Sequence, residues 1–314
     1  MKPLLNYMPR KFSFDFIGKR IPAFGFTVVI IVASFVLLAT KGLNFGVDFA
    51  GGIVVEVQTE QKADLGAMRS TLGGLGLGEV SLQEFGETGR DVMIRVERQP
   101  GDEKAQMSAL DKVKTTLGAG YSYRRVEIVG PKVGDELVRD GVLAVALSVL
   151  AIAAYVWFRF EWQFGVGALA ATFHDVIATF GFFSLTGLEF NLTSVAAILT
   201  IAGYSINDTV VEYDRVRENL RKYKAMSLFD LLNLSANETL ARTILTGGTT
   251  LLAVLSLAVF GGEVLRGFSL SVIFGVLIGT YSSVYVAMPI LIYFNLRTGK
   301  EQEEAEQAEQ QATP

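Results

Sequence analysis

The stretch AGYSINDTVVEYDRVREN, residues 202–219, closes one of the most apolar runs of the chain. From residue 192 that run reads LTSVAAILTIAGYSI before it meets Asn207 and Asp208. A helix of that length and composition is built to cross a bilayer, where a carboxylate is expensive and is either functional or close enough to the edge to reach water. If this helix spans a membrane, other runs of similar length must accompany it.

They do. Half of the 314 residues are hydrophobic and 19% are charged, whereas a soluble chain carries about 25% charge. Six apolar runs approach the roughly 20 residues that cross a hydrocarbon core of about 30 Å: 21–39, 137–158, 164–185, 192–211, 243–260 and 268–294. The last is long enough to tilt. The expected fold class is an α-helical polytopic membrane protein of six transmembrane helices, with one α+β domain between the first two. The first run follows a basic leader, 1–20, and FVLLATKGLNF holds no small-residue cleavage site, so it reads as a permanent anchor.

Lys and Arg in the flanks set the expected orientation. The leader carries Lys2, Arg10, Lys11, Lys19 and Arg20, and the connection 212–242 carries Arg215, Arg217, Arg221, Lys222 and Lys224. The short connections TGLEFN and GGEVLR hold only Arg266. Both termini are therefore expected in the cytoplasm and residues 40–136 outside, with Trp157 and Trp162 at the cytoplasmic interface. The tail 297–314, EQEEAEQAEQQATP at its end, is acidic and of low complexity, and reads as disordered.

Several function classes drop out. A net charge of −4 gives no case for nucleic acid, the absence of cysteine excludes thiol chemistry, and a single histidine excludes most zinc enzymes. No nucleophile elbow, Walker sequence or metal-ligand cluster is present, so neither an enzyme nor a bound cofactor is expected. GGLGLGE, residues 73–79, fits neither phosphate-loop pattern and reads as a turn between a helix and a strand.

Between the first two spans the periodicity changes. Residues 53–58, 79–85, 91–97 and 121–129 alternate or run β-branched, while 62–75 and 102–117 have helical spacing, with Asp64 and Asp102 near the helix starts. The order β-α-β-β-α-β is the split βαβ, ferredoxin-like arrangement.

Within the membrane runs, Asp208 stands about 16 residues from the outer end, roughly 24 Å deep at 1.5 Å per residue. Tyr204 and Ser205 share its face, and Asn207 is beside it. Arg242 opens the fifth run from the cytoplasmic side, with Thr246 and Thr249 continuing one face and Thr250 adjacent. Burial opposes the charge on a carboxylate and a nearby guanidinium favours it, so small changes of separation would switch Asp208 between neutral and ionised forms. The plainer reading is that Arg242 snorkels to the interface and Asp208 reaches water.

His174 and Asp175 fall near the middle of the third run, as a proton-relay element or as a polar clamp; adjacent on a helix, they point roughly 100° apart and need not touch. Ser271, Gly275, Gly279 and Ser283 recur every four residues of the sixth run, a small-residue face for close helix approach. After the fourth run Ser227 is placed to cap an amphipathic surface helix. That basic connection ordinarily sets topology; binding a partner protein is its alternative role.

GLNFGVDFAGG (42–52), FHDVI (173–177), AGYSINDTVVEYDRVREN, TLARTILTGGTT (239–250) and FGGEVLRGFS (260–269) together resemble the SecF family of bacterial Sec translocon accessory subunits, over about residues 14–296. The resemblance implies a resistance-nodulation-division type membrane domain and a separately encoded partner, SecD. It further implies a role beside the SecYEG channel in the inner membrane, driving late steps of preprotein export with the proton motive force. The family's membrane carboxylate and arginine map onto Asp208 and Arg242. The proton-relay set is then Asp208, Arg242, Asn207, Ser205, Thr246, Thr249, His174 and Asp175, and the outer domain is the part that meets preproteins. The competing readings are a passive scaffold for SecD and the channel, and half of a small-molecule efflux pump, which the single small outer domain disfavours.

Overall fold

The computed structural model describes residues 13–296 apart from Glu87, Ala119 and Asn295. Most of the leader and the acidic tail 297–314, with their expected cytoplasmic placement and disorder, lie outside the described residues. The chain divides into two compact units: one of residues 44–144 and 189–195, the other of the preceding segment, 145–188 and everything from 196 onward.

In the α+β unit, strand β1 (Asn44–Phe45) and helix α2 (Val47–Ala50) lead into β2 (Gly52–Thr59), α3 (Leu65–Gly73), β3 (Val80–Phe85), β4 (Asp91–Val96), α4 (Glu103–Leu117) and β5 (Tyr121–Val129). Four strands form one antiparallel sheet in the order β3-β4-β2-β5. The period-2 pattern explains its core: Ile53, Val55 and Val57 of β2 and Val92, Ile94 and Val96 of β4 pack with Met68 and Leu72 of α3 and Leu110 and Val113 of α4. Asp64 and Asp102 cap α3 and α4, each carboxylate accepting two backbone N–H groups of the first turn. On β2 itself Glu56 is buried and paired with Arg125 at 3.3 Å. The turn over GGLGLGE carries left-handed glycines at 76 and 78, as a turn requires.

The GVDFAGG motif has a backbone cause. Gly51 and Gly52 take φ of +71° and +117°, and a Cβ on Gly52 would lie 2.6 Å from the Val96 carbonyl oxygen, so only glycine starts β2 at that distance from β4. The turn before it, α2, carries Asp48, whose carboxylate accepts the Leu192 N–H at 3.0 Å. Strand β6 (Glu189–Phe190) runs parallel to β1, secured by an Arg95–Glu189 ion pair of 2.8 Å and by Phe49 stacked on Phe190.

Among the described residues, the helical unit is built on six helices long and apolar enough to cross a membrane. They are α1 (Arg20–Thr40), α5 (Pro131–Arg159), α6 (Trp162–Thr186), α7 (Leu192–Lys222), α8 (Leu228–Phe260) and α9 (Gly262–Ser282), the last continued by a π-helical turn (Ser283–Ala287) and α10 (Met288–Ile290). The first stretches of α5 and α7 belong to the α+β unit. Helix α6, α7 and the α9–α10 rod are the most enclosed, whereas α1, α5 and α8 present rows of bare apolar side chains such as Val28, Val32, Leu147, Leu150, Leu252 and Val259.

Two boundaries differ from the sequence expectation. The fourth run was expected to end at 211 before a connection over 212–242. Helix α7 instead continues unbroken to Lys222, and after a short turn α8 starts at Leu228 and runs directly into the fifth span. The charges of 214–222 mark an exposed helical face rather than a loop, with Arg159 and Arg215 paired to Asp214 and Glu218. Ser227 does cap α8, accepting the Asp230 N–H at 3.1 Å.

Candidate functional site: a buried carboxylate line between three helices

Close packing of α7 on α9 comes first. The small-residue face of α9 meets α7, so that a Cβ on Gly275 would lie 2.2 Å from Ile201 and one on Gly279 3.2 Å from Ser205. Helices that near bring short polar side chains into mutual reach without water.

Asp175 of α6 is fully enclosed and fully used. His174 Nδ1 lies 2.9 Å from its Oδ1, while Ser205 of α7 and Ser282 of α9 donate to its Oδ2 at 2.5 and 2.7 Å. Three helices are thereby tied to one carboxylate. Adjacent on α6, His174 and Asp175 do meet: the two side chains turn toward each other within the buried interface. His174 Nε2 is left without a hydrogen-bond partner.

Asp208 is 2% exposed and is held far less tightly. Thr246 of α8 is 3.4 Å from its Oδ1, but that hydroxyl also lies 2.9 Å from the Arg242 carbonyl of its own helix. Oδ2 is buried with no partner. Arg242 is exposed and forms no ion pair with Asp208 within 4.0 Å, although its charge acts on that carboxylate through space. Thr249 bonds only its own helix, to Leu245 and Thr246 carbonyls. Asn207 is exposed and points away from the buried line. The structure therefore brings Asp175, His174 and Ser205 together in one cluster and Asp208 with Thr246 in a second. Arg242 stands near the second, with Asn207 and Thr249 outside both.

Sequence reasoning missed Glu212. It lies one turn beyond Asp208 on the same face, is 1% exposed, and accepts the Ser283 hydroxyl at 3.1 Å. Its neighbour Tyr213 donates to the Ala287 carbonyl at 3.0 Å, so consecutive residues of α7 hold the two ends of the π turn. The signal was present as the i, i+4 spacing of Asp208 and Glu212, and was lost by ending the span at residue 211.

Residues 109–297 match the family model for the protein export membrane protein SecD/SecF, C-terminal, and residues 36–63 match the SecD/SecF GG motif. The chain is 49% identical over 294 residues to the protein translocase subunit SecF of Rickettsia felis, covering 92% of this chain and 94% of that protein. It is 46% identical to the SecF subunit of Cereibacter sphaeroides, covering 94% of each. Among solved structures it is similar to SecDF of Thermus thermophilus, described as a translocon-associated membrane protein, with 34% identity and a TM-score of 0.80 over 94% of this chain. A super-membrane-facing form of SecDF gives 33% identity and a TM-score of 0.66. The chain spans 40% of the first SecDF chain and 41% of the second.

Proposed function

The chain belongs to the SecD/SecF family of protein-export membrane proteins, and from that premise we propose that it is the SecF-type subunit of a proton-driven export complex. It works with SecD beside the SecYEG channel of a bacterial inner membrane and uses the proton motive force to promote passage of preproteins. Both termini are then cytoplasmic, and the four-stranded domain is periplasmic and meets the emerging preprotein. Asp208 carries the proton and Arg242 is its charge partner, with Thr246 and Thr249 offering hydroxyls along α8. Asn207 faces the partner, and His174, Asp175 and Ser205 tie α6, α7 and α9 into one moving body.

One observation carries this reading: Asp208 is buried with one carboxylate oxygen unpartnered and the other sharing a hydroxyl. A carboxylate kept only for packing has both oxygens satisfied, as Asp175 does. One proton crossing the membrane potential releases about 2.3 kcal/mol per 100 mV, which is the size of the gap between two arrangements of a helix bundle. The saturated Asp175 cluster favours the second reading, a scaffold that stabilises SecD and the channel by locking helices.

The deciding experiment is precursor export in cells whose only copy carries Asp208→Asn, with membrane levels of this chain and SecD measured alongside. Lost export at normal complex levels is the expected result. Normal export sinks the proton-carrier role and leaves the scaffold.

A further inference from the structure

Glu212 has no part in the relay just described, and its surroundings do not suit an ion. It is 1% exposed, its Oε1 accepts one hydroxyl from Ser283, and its Oε2 is buried with no hydrogen-bond partner. Among the described residues no Lys or Arg forms an ion pair with it. The titratable groups acting on it are two residues of its own helix, Asp208 one turn away and Tyr213, while the last helix faces it with the neutral Ser283 hydroxyl. An isolated carboxylate in such a place is costly to ionise, and a second carboxylate one turn off makes charging both at once costlier still.

We propose that Glu212 is a second proton-holding group, exchanging one proton with Asp208 along α7. It rests on the proton-coupled reading of Asp208 for its use, though not for its chemistry. The exchange breaks the O–H bond of one carboxylic acid and forms an O–H bond on the other carboxylate, so the pair keeps one proton and one negative charge throughout. Residues four apart on a helix hold their Cβ atoms about 5–6 Å apart, a separation one bridging hydroxyl or water spans. The arrangement also gives the exchange an output. The proton on Glu212 decides whether its Oε1 can accept from Ser283 as an anion or as a neutral carbonyl, and Ser283 opens the π turn of the last helix. Such turns are rare insertions that recur at functional positions.

The test is infrared spectroscopy of the full chain reconstituted in lipid, following the carbonyl stretch of protonated carboxyl groups as pH is changed. The expected result is a band that Glu212→Gln removes and whose pH midpoint moves in Asp208→Asn. A spectrum unchanged by Glu212→Gln shows that Glu212 holds no proton, and overturns the proposal. Should Glu212→Gln fail to accumulate, Ser283→Ala serves: loss of the hydroxyl shifts the band to higher frequency if Glu212 is the acid, and leaves it in place if it is not. The two readings stay separable. A Glu212 band coupled to Asp208, together with normal export by Asp208→Asn, would remove the proton-motor reading while leaving the proton site intact.

Discussion

Asp175 and Asp208 stand on adjacent helices in the same apolar surroundings, and their partners make them opposites. Asp175 takes contacts from His174, Ser205 and Ser282; Asp208 shares one distant hydroxyl with the backbone. Removing donors from a buried carboxylate leaves it unsatisfied, at about 1–3 kcal/mol for each group orphaned. The double variant Ser205→Ala with Ser282→Ala is therefore expected to lower unfolding stability in detergent by about that amount. Asp208→Asn, which touches a single 3.4 Å contact, is expected to cost less than the double variant. Denaturant or thermal unfolding of the two purified variants checks this. A large loss in Asp208→Asn would mean that Asp208 holds the bundle together, and would count for the scaffold. Asp175→Asn is the companion test of the clamp: it keeps the shape but replaces one of the two acceptor oxygens that two serines and a histidine address with an NH2 group, so its cost should exceed that of Asp208→Asn.

At the scale of elements, the contact of α7 with α9 depends on two glycines and is sharply testable. A Cβ at Gly275 would sit 2.2 Å from Ile201, well inside van der Waals contact, so Gly275→Ala should cost about 1–3 kcal/mol through overpacking. Ile201→Ala in the same chain should recover part of that loss. At Gly203 and Gly248 a Cβ meets nothing within 4 Å, so alanine there should leave stability unchanged or raise it by about 0.4–1 kcal/mol. In the sheet unit, Asp102→Ala should weaken α4 by about 1 kcal/mol, through loss of the two N–H groups its carboxylate accepts; hydrogen exchange in the first turn of α4 reads that directly. These features were legible beforehand. The strands, both aspartate caps and the small-residue face follow from periods of 2 and 3.6 and from the spacing of four. What was not legible has a physical cause. Hydropathy ends a span where charge begins, but a helix does not end there, since Arg215 pairs with Glu218 along its exposed face and Asp214 pairs with Arg159 of α5. Ending the fourth span early left Glu212 out of the candidate site. Likewise, the meeting of Asp175 with Ser282 depends on how α9 lies against α6 and α7, which no single run of sequence encodes.

For the whole molecule, the helices differ in what they leave uncovered. Helix α1 exposes Phe26, Val29, Val32, Phe35 and Val36, and the later part of α5 exposes Leu147, Leu150 and Trp157, surfaces that suit lipid. Helix α7 exposes Ala196, Thr200, Gly203 and Asn207, four residues at helical spacing that are small or polar. An amide facing hydrocarbon is costly, and in membranes small and hydroxyl-bearing faces are those that pack against other helices. Under the proposed function this stripe is covered by a helix of SecD, next to the helix turn that carries Asp208. The chain contains no cysteine, so a single introduced thiol is unique. Asn207→Cys, joined by a short bifunctional reagent in membranes holding both subunits, should crosslink to SecD in high yield. Leu150→Cys, on a bare apolar face, should remain uncrosslinked and be reached by a lipid-soluble probe instead. The reverse pattern, with Asn207→Cys open to the lipid probe and Leu150→Cys joined to SecD, would move the partner to the α5 side and strip Asn207 of its interface role. If Asn207→Cys joins a second copy of this chain rather than SecD, the stripe is a self-contact, and the proton-carrying carboxylate would lie at a symmetric interface.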